Sequence, residues 1–293
     1  MNFNNKIFND KNEKNKYINL YLYTSYENFI KIISNWCLKL ILADETNDPF
    51  EFRPQYTKDN EDDTLFQYRR FVSEMGFLSF SSNHNSAALW GHYADSHRGV
   101  CIEFEFPILK SISLPLFPCK IHYLDLADTP EGKAYSLYKN WLFDVRYDHE
   151  RPPLLSNEFL DIVCKAIKKA EIPDDHKFLY EKFSLADWNA LYLMTQKDPS
   201  WSFEEEKRIL INLYQPEIAI NDNFFVKGYN KYISRIILGL KCKHSVDKTR
   251  TLVRHYTAGK SNYDIYIDKA KYSPTKYEII LPEEDDDYDD FSE

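Results

Sequence analysis

Glycine is scarce in this chain, at 7 of 293 residues. Loops that wrap a phosphate need glycine for close backbone approach. Neither G-x-G-x-x-G nor G-x-x-x-x-G-K-[ST] occurs, which removes the basis for a dinucleotide fingerprint or a P-loop. No apolar run approaches the ~18 residues needed to cross a bilayer, so no membrane partner is expected. The five cysteines (Cys37, Cys101, Cys119, Cys164, Cys242) are scattered and include no C-x-x-C pair. The eight histidines are scattered too, and no metal site is expected. The first residues are rich in Asn and Lys and lack the apolar core of a secretory leader, so a cytoplasmic protein is expected. There is no basic block of the kind that marks a nucleic-acid footprint.

What is present is ordinary in apolar (43%) and charged (28%) content but rich in aromatics, with 22 Tyr and 20 Phe. The formal net charge of −9 is unevenly spread. "EEDDDYDDFSE", residues 283–293, holds eight acidic residues, and without them the net charge is −1. Residues 273–293 therefore read as a disordered acidic tail, either solubilising or docking a basic partner. Residues 1–17 read as a polar leader. Between them, 18–272 form a single domain.

Along that domain, "INLYLYTS" has strand composition and ends in the helix-capping residues Thr24 and Ser25. Phe29, Ile32, Ile33 and Trp36 then recur at helical spacing. "CLKLILA" reads as a strand, 60–75 as a helix and "GFLSFSSNHNS" as a strand leading into a loop. "AALWGHYADSHRG" is a short helix ended near Gly99. In "VCIEFEF", Val100, Ile102, Phe104 and Phe106 alternate with Cys101, Glu103 and Glu105, which is strand patterning. "KIHYLDL" continues as a strand. From about 131 to 195 the pattern is helical, with Ser156 as a cap and an apolar stripe from Leu155 to Ile167. Strands return in "RILINLY", "ISRIILG" and "YDIYIDKA", with a helix over 245–258. The fold class is α+β, with a helical insertion between two sheet halves.

Four segments concentrate chemistry. "LYLYTS" sets Tyr23 and Thr24 at a sheet rim. "NDPFE" crowds Asn47, Asp48 and Glu51 into one turn, which suits either a plain Asx-type turn or part of a site. Ser79 and Ser81 precede a short helix that places Trp90 and Tyr93 at i, i+3. That aromatic pair suits either a core or a stacking platform for a planar ligand. "WSFEEEKRIL" admits two readings. As a helix start, Ser202 and Glu205 would form a capping box. As a strand, Glu204, Glu206 and Arg208 would share one face, opposite Glu205, Lys207, Ile209 and Ile211. The alternation that continues through Asn212 favours the strand. Two adjacent carboxylates raise one pKa while the arginine lowers it, and such a face could stabilise a developing oxocarbenium ion.

In this order, Leu20–Ser25, Asn47–Glu51, Phe80–Phe104, Glu204–Arg208 and Ile236–Gly239 resemble the motifs of a bacterial domain-of-unknown-function family (number 2971). More distantly, the layout resembles the ADP-ribosyltransferase fold. That resemblance implies two small, mostly antiparallel sheets flanking a cleft, with NAD as substrate. It gives Glu206 the role of holding the nicotinamide ribose, and Glu204 that of its substrate-side partner. Trp90 or Tyr93 would stack on nicotinamide, and Ser79 or Ser81 would buttress the site. Leu22 stands where that fold places a histidine, so Tyr21 or Tyr23 must substitute, or the ligand differs, or the chain does not catalyse. The implied function is an NAD-using ADP-ribosyltransferase-like enzyme, a bacterial toxin or phage-defence effector, with a protein or nucleic-acid acceptor. The alternatives are a non-catalytic nucleotide- or protein-binding module, or a metal-dependent nuclease using Asp48, Glu51 and Glu204.

Overall fold

The computed structural model describes residues 16–55, 72–113, 120–124, 126, 141–153, 185–213, 218–220, 223–258 and 265–282, with isolated positions from 155 to 165. The leader as far as residue 15, the helix expected over 60–75 as far as residue 71, and the acidic run 283–293 lie outside the described residues. So does most of the expected insertion, including Ser156 and most of the stripe beyond it.

Strand β1 (Lys16–Thr24) leads into helix α1 (Tyr26–Asn35), whose first turn is capped by Ser25 Oγ accepting from the Asn28 amide. "CLKLILA" splits into β2 (Leu38–Lys39) and β3 (Ile41–Leu42), which join different sheets. Next come β4 (Met75–Ser81), helix α2 (Ala87–His92), the long β5 (Val100–Ser113) and β6 (Lys120–Leu124). Where 131–195 reads as helical, residues 141–147 instead form β7 (Trp141–Asp144) and β8 (Arg146–Tyr147). Helix α3 (Leu185–Met194) follows and is buried on most of its surface. An all-round apolar helix has no amphipathic face and belongs inside a fold.

Next come β9 (Gln196–Lys197), a 3-10 turn (Pro199–Glu204) and β10 (Glu206–Asn212). Then β11 (Ile218–Ile220), β12 (Asn223–Val226) and β13 (Ile233–Leu238) lead to helix α4 (Val246–Thr257). The described chain closes with β14 (Tyr266–Lys269), β15 (Lys271–Tyr272) and β16 (Ile279–Ile280). Ile279 and Leu281 are buried beside α2, so the domain runs past the boundary expected at 272.

Among the described residues, the two small sheets expected to flank a cleft are not found. Strands β1, β4, β10, β7, β6 and β5 pair in that order, and β1 pairs back onto β5, closing a six-stranded antiparallel barrel with β13 and β14 appended to β5. The β1–β5 seam is nine residue pairs long, and the β1–β4 seam is the single pair Tyr21↔Ser81. Closure removes free strand edges, which two open sheets would have to cover by other means.

The alternation of the strands decides the two faces. One buried cluster takes Leu20, Leu78, Ile209, Leu142, Leu124 and Phe104 from all six barrel strands. Only the inward side of a closed barrel brings six strands together in this way. The outward side carries two separate clusters. Phe77, Trp141, Phe143 and Leu210 pack on Trp188 and Leu191 of α3, and Tyr21, Tyr23 and Cys101 pack on Leu89 and Trp90 of α2.

Two glycines lock α2 against the barrel. A Cβ on Gly99 would lie 2.1 Å from the Thr24 carbonyl oxygen, and one on Gly239 would lie 2.3 Å from the His97 carbonyl oxygen. Just before Gly99, Asp95, Ser96 and His97 all have positive φ, a conformation that costs side-chain-bearing residues free energy. The backbone bonds Gly99 N→Ala94 O and Lys241 N→His97 O hold that turn in place.

Candidate functional site

The site lies on the outer wall of the barrel, at its weakest seam. One edge of β4 meets β1 only at Ser81 and β3 only at Gly76 and Phe77. At that gap opens a cavity of about 290 Å³, lined by Tyr21 and Tyr23 of β1, Ser79 and Ser81 of β4, Tyr93, and a set of buried charges. Leu22 and Phe80, whose strand phase is inward, also line it, because the wall is interrupted there.

The charges are Glu51, Lys197, Glu204, Glu206 and Arg208, each at most 8% exposed. Glu206 and Arg208 project outward from β10. Arg208 donates Nε to Glu206 Oε1 at 2.7 Å and Nη2 to Glu206 Oε2 at 2.8 Å. It also donates Nη2 to Glu51 Oε1, and Nη1 to the Met194 carbonyl at 2.8 Å. That last bond satisfies an orphan carbonyl at the negative end of α3. The guanidinium carbon lies 4.6 Å from the centre of the Phe77 ring. Lys197 Nζ donates to Glu204 Oε2 at 2.6 Å and to Glu206 Oε2 at 3.2 Å, and stands 3.9 Å from Glu51 Oε1. Ser79 Oγ donates to Glu206 Oε1 at 2.6 Å, Tyr93 donates its hydroxyl to Glu204 Oε1, and Asn47 Nδ2 donates to the Tyr93 oxygen at 3.1 Å.

Electrostatics separates the carboxyls. Burial pushes the Glu206 carboxyl up, but Arg208, Lys197 and the Ser79 hydrogen bond outweigh it and hold Glu206 well below the usual range. For Glu51 burial wins over the attraction of Arg208 and Lys197, with Glu206 repelling, and its pKa is raised. Burial lowers Lys197, yet Glu206, Glu51 and Glu204 reverse that and leave the ammonium favoured. Burial and the Glu204 bond raise the Tyr93 phenol, so it stays a donor. Glu51, whose carboxyl is held above the usual range, comes from a turn far off in sequence.

"WSFEEEKRIL" matches neither of its readings in full. Residues 199–204 form a 3-10 turn, capped by Asp198, whose side chain accepts from the Ser200 amide, and not by Ser202. Glu205 then adopts a left-handed conformation (φ 44, ψ 47), and the strand begins at Glu206. Glu204 is therefore off the strand, yet its carboxylate still meets that of Glu206 through Lys197.

Tyr23, Ser79, Ser81, Tyr93, Asn47, Glu51, Glu204, Glu206 and Arg208 all line the cavity, but Trp90 and Thr24 do not. Trp90 is fully buried, donates its indole N–H to the His84 carbonyl at 2.8 Å and meets Tyr23 edge-on. Burying a large indole in the core stabilises the fold more than presenting it to a ligand would. The "NDPFE" turn is an Asx turn, with Asp48 Oδ1 accepting from the Phe50 amide at 2.9 Å. Among the described residues no group of three or more His, Cys, Asp or Glu is placed to hold a metal ion.

Sequence reasoning missed Lys197 and Tyr147. Lys197 comes in on β9, which pairs in parallel with β8, and the Tyr147 hydroxyl accepts from the Glu206 amide at 2.8 Å. A lone lysine before Asp-Pro carries no local signal of that pairing.

No helix among the described residues is long and apolar enough to cross a membrane. No curated protein and no solved structure matches the chain, and neither the barrel nor these comparisons support the resemblance to the ADP-ribosyltransferase fold. Tyr93, Lys197, Glu204, Glu206 and Arg208 all fall within residues 89–209, which match the family described as Protein of unknown function (DUF2971).

Proposed function

We propose that the cavity is an active site that cleaves the N-glycosidic bond of a nucleotide, with NAD as the candidate that the sequence nominates. One observation carries this reading: three buried carboxyl groups and two buried cations line a single cavity, with Glu204 and Glu206 ion-paired to Lys197 at its wall. Breaking a glycosidic bond develops positive charge on the sugar. Fixed carboxylates in a site shielded from water stabilise that charge more than water can. The volume is at the lower end of small-ligand sites, about 300 Å³, and suits a ring and its sugar. Tyr21, Tyr23 and Tyr93 offer ring faces and hydroxyls to that part of the ligand. If the sugar passes to a protein or nucleic-acid acceptor, and not to water, the enzyme is an ADP-ribosyltransferase in the sense of a toxin or phage-defence effector.

A second reading, a nucleotide-binding module without turnover, draws on the saturation of Arg208 and Glu206, whose polar atoms are engaged with the protein itself. The test is release of free base from NAD, adenosine and AMP by purified protein, compared with Glu204→Gln. Base release lost in the variant, with its fold intact by circular dichroism, supports the enzyme. Saturable binding without release leaves the module, and neither binding nor release removes both.

A further inference from the structure

Glu51 differs from every other member of the cluster. Its side chain is 1% exposed, and its Oε1 accepts from Arg208, but its Oε2 is buried with no hydrogen-bond partner. Lys197 Nζ is bonded to Glu204 and Glu206, and three of the four Arg208 side-chain contacts go to Glu206 and the Met194 carbonyl. Two cations therefore serve three buried carboxyl groups, and Glu51, held by Arg208 through Oε1 alone and 3.9 Å from Lys197, is the least compensated. A carboxyl so deeply buried, with one oxygen unpartnered, is shifted towards its protonated form even beside a guanidinium. Position adds a second fact. Glu51 and Lys197 line both the 290 Å³ cavity and a neighbouring cavity of about 600 Å³ that reaches Arg53, His149 and Arg151. Glu51 thus stands in the wall between two spaces, with one buried carboxyl oxygen not committed to any hydrogen bond.

We infer that Glu51 is the protonated general acid of this site, and that the substrate is a nucleoside or nucleotide with a neutral base in preference to NAD. The inference rests on the reading of the cavity as a glycosidic site and narrows its substrate. Nicotinamide is a cation while attached to ribose and departs neutral, so a proton donor does nothing for it. A neutral base departs as an anion unless protonated, and there a buried carboxylic acid is needed.

In the step, the C1′–N bond breaks with its electron pair going to the base nitrogen. The Glu51 Oε2 proton passes to the base, and the cationic sugar faces Glu204 and Glu206. Water then adds to C1′, and the proton it sheds restores Glu51 to the acid form. The larger cavity supplies that water and the route for the proton. Free base and the reducing sugar are the only products.

Glu51→Gln keeps shape and neutrality while removing the proton. The expected result is base release from adenosine or AMP lowered by about 100-fold or more in kcat, in the range for general-acid catalysis, with KM little changed. The wild-type rate should fall on the alkaline side, and the residual rate of the variant should be independent of pH there. An independent readout is the infrared band of a protonated carboxyl at neutral pH, present in the wild type and absent in Glu51→Gln. Three outcomes overturn the inference. One is NAD cleaved faster than adenosine or AMP with no effect of Glu51→Gln, which leaves the glycosidic reading standing. Another is no protonated-carboxyl band that depends on Glu51. The third, no base release from any of the three compounds, ends the donor role and the glycosidic reading together.

Discussion

Adjacent residues of one strand build two polar clusters that behave in opposite ways. Glu206 and Arg208 point outward from β10, into the cluster with Lys197, Glu204 and Glu51. Lys207 points inward and donates to Asp144, which also meets His122 Nε2 at 3.0 Å, while Ser111 Oγ and His122 Nδ1 are 2.8 Å apart. The inward cluster crosses four strands and has one carboxylate facing a lysine and a histidine. Burial raises Asp144, but His122 and Lys207 outweigh it and its pKa is lowered. The outward cluster has more carboxyls than cations and leaves an oxygen unpartnered. A polar network with every demand met fixes a fold, and one with a surplus keeps chemistry in reserve. That contrast, more than burial itself, locates the site.

The largest effect should come from removing the outer hub. Arg208→Met leaves Glu206 and Glu51 buried without their guanidinium and should cost about 3–5 kcal/mol of unfolding free energy in chemical denaturation. A loss under about 1 kcal/mol would show that the outer cluster is not the structural centre described here. Tyr93→Phe removes one hydrogen bond to Glu204 and should cost about 1.5–3 kcal/mol, the range for bonds to charged groups. An unchanged stability would mean that Tyr93 does not hold Glu204.

Asp144→Asn tests the inner cluster and should cost less, about 1 kcal/mol, since the Asp144 side chain is 32% exposed and such pairs are partly screened. Its sign with pH follows from the lowered pKa. The contribution is present above the unfolded value of about 3.9 and fades as pH falls below it, so wild type and variant should converge in acid. Glu51→Gln should have the smallest effect and the reverse trend. A raised pKa means that the native state holds the proton more tightly. The wild type therefore loses stability as pH rises above about 4.3 towards the native pKa, whereas the variant does not. Denaturation midpoints across pH should show the variant gaining on the wild type. Parallel pH curves for Asp144→Asn and Glu51→Gln would erase the distinction between the clusters.

Much of this was legible locally. Alternation in "VCIEFEF" sends Val100, Ile102, Phe104 and Phe106 into the barrel core and Cys101 to the α2 side, as read. Ser25 caps α1, as read, because a hydroxyl before an amphipathic run satisfies orphan amides whatever the rest of the chain does. Other features left no local trace. The left-handed Glu205 breaks the expected strand between two glutamates that composition alone cannot tell apart. Trp90 is a core residue and not a stacking platform, and the two kinds of aromatic look alike in sequence.

By itself the sequence determined the periodicities: which residues alternate, which recur at helical spacing, and that Glu206 and Arg208 leave β10 on the side opposite Lys207. These follow from backbone geometry, which every residue carries with it. Tertiary structure alone decided that six strands close on themselves, that the side bearing Glu206 is the outer one, and that β1 and β4 are joined only at Tyr21↔Ser81. It also brought Glu51 to Arg208 across 157 residues of chain. Strand pairing and buried ion pairs are settled between distant segments, where hydrogen bonds are closed and charges compensated only after the whole barrel has formed.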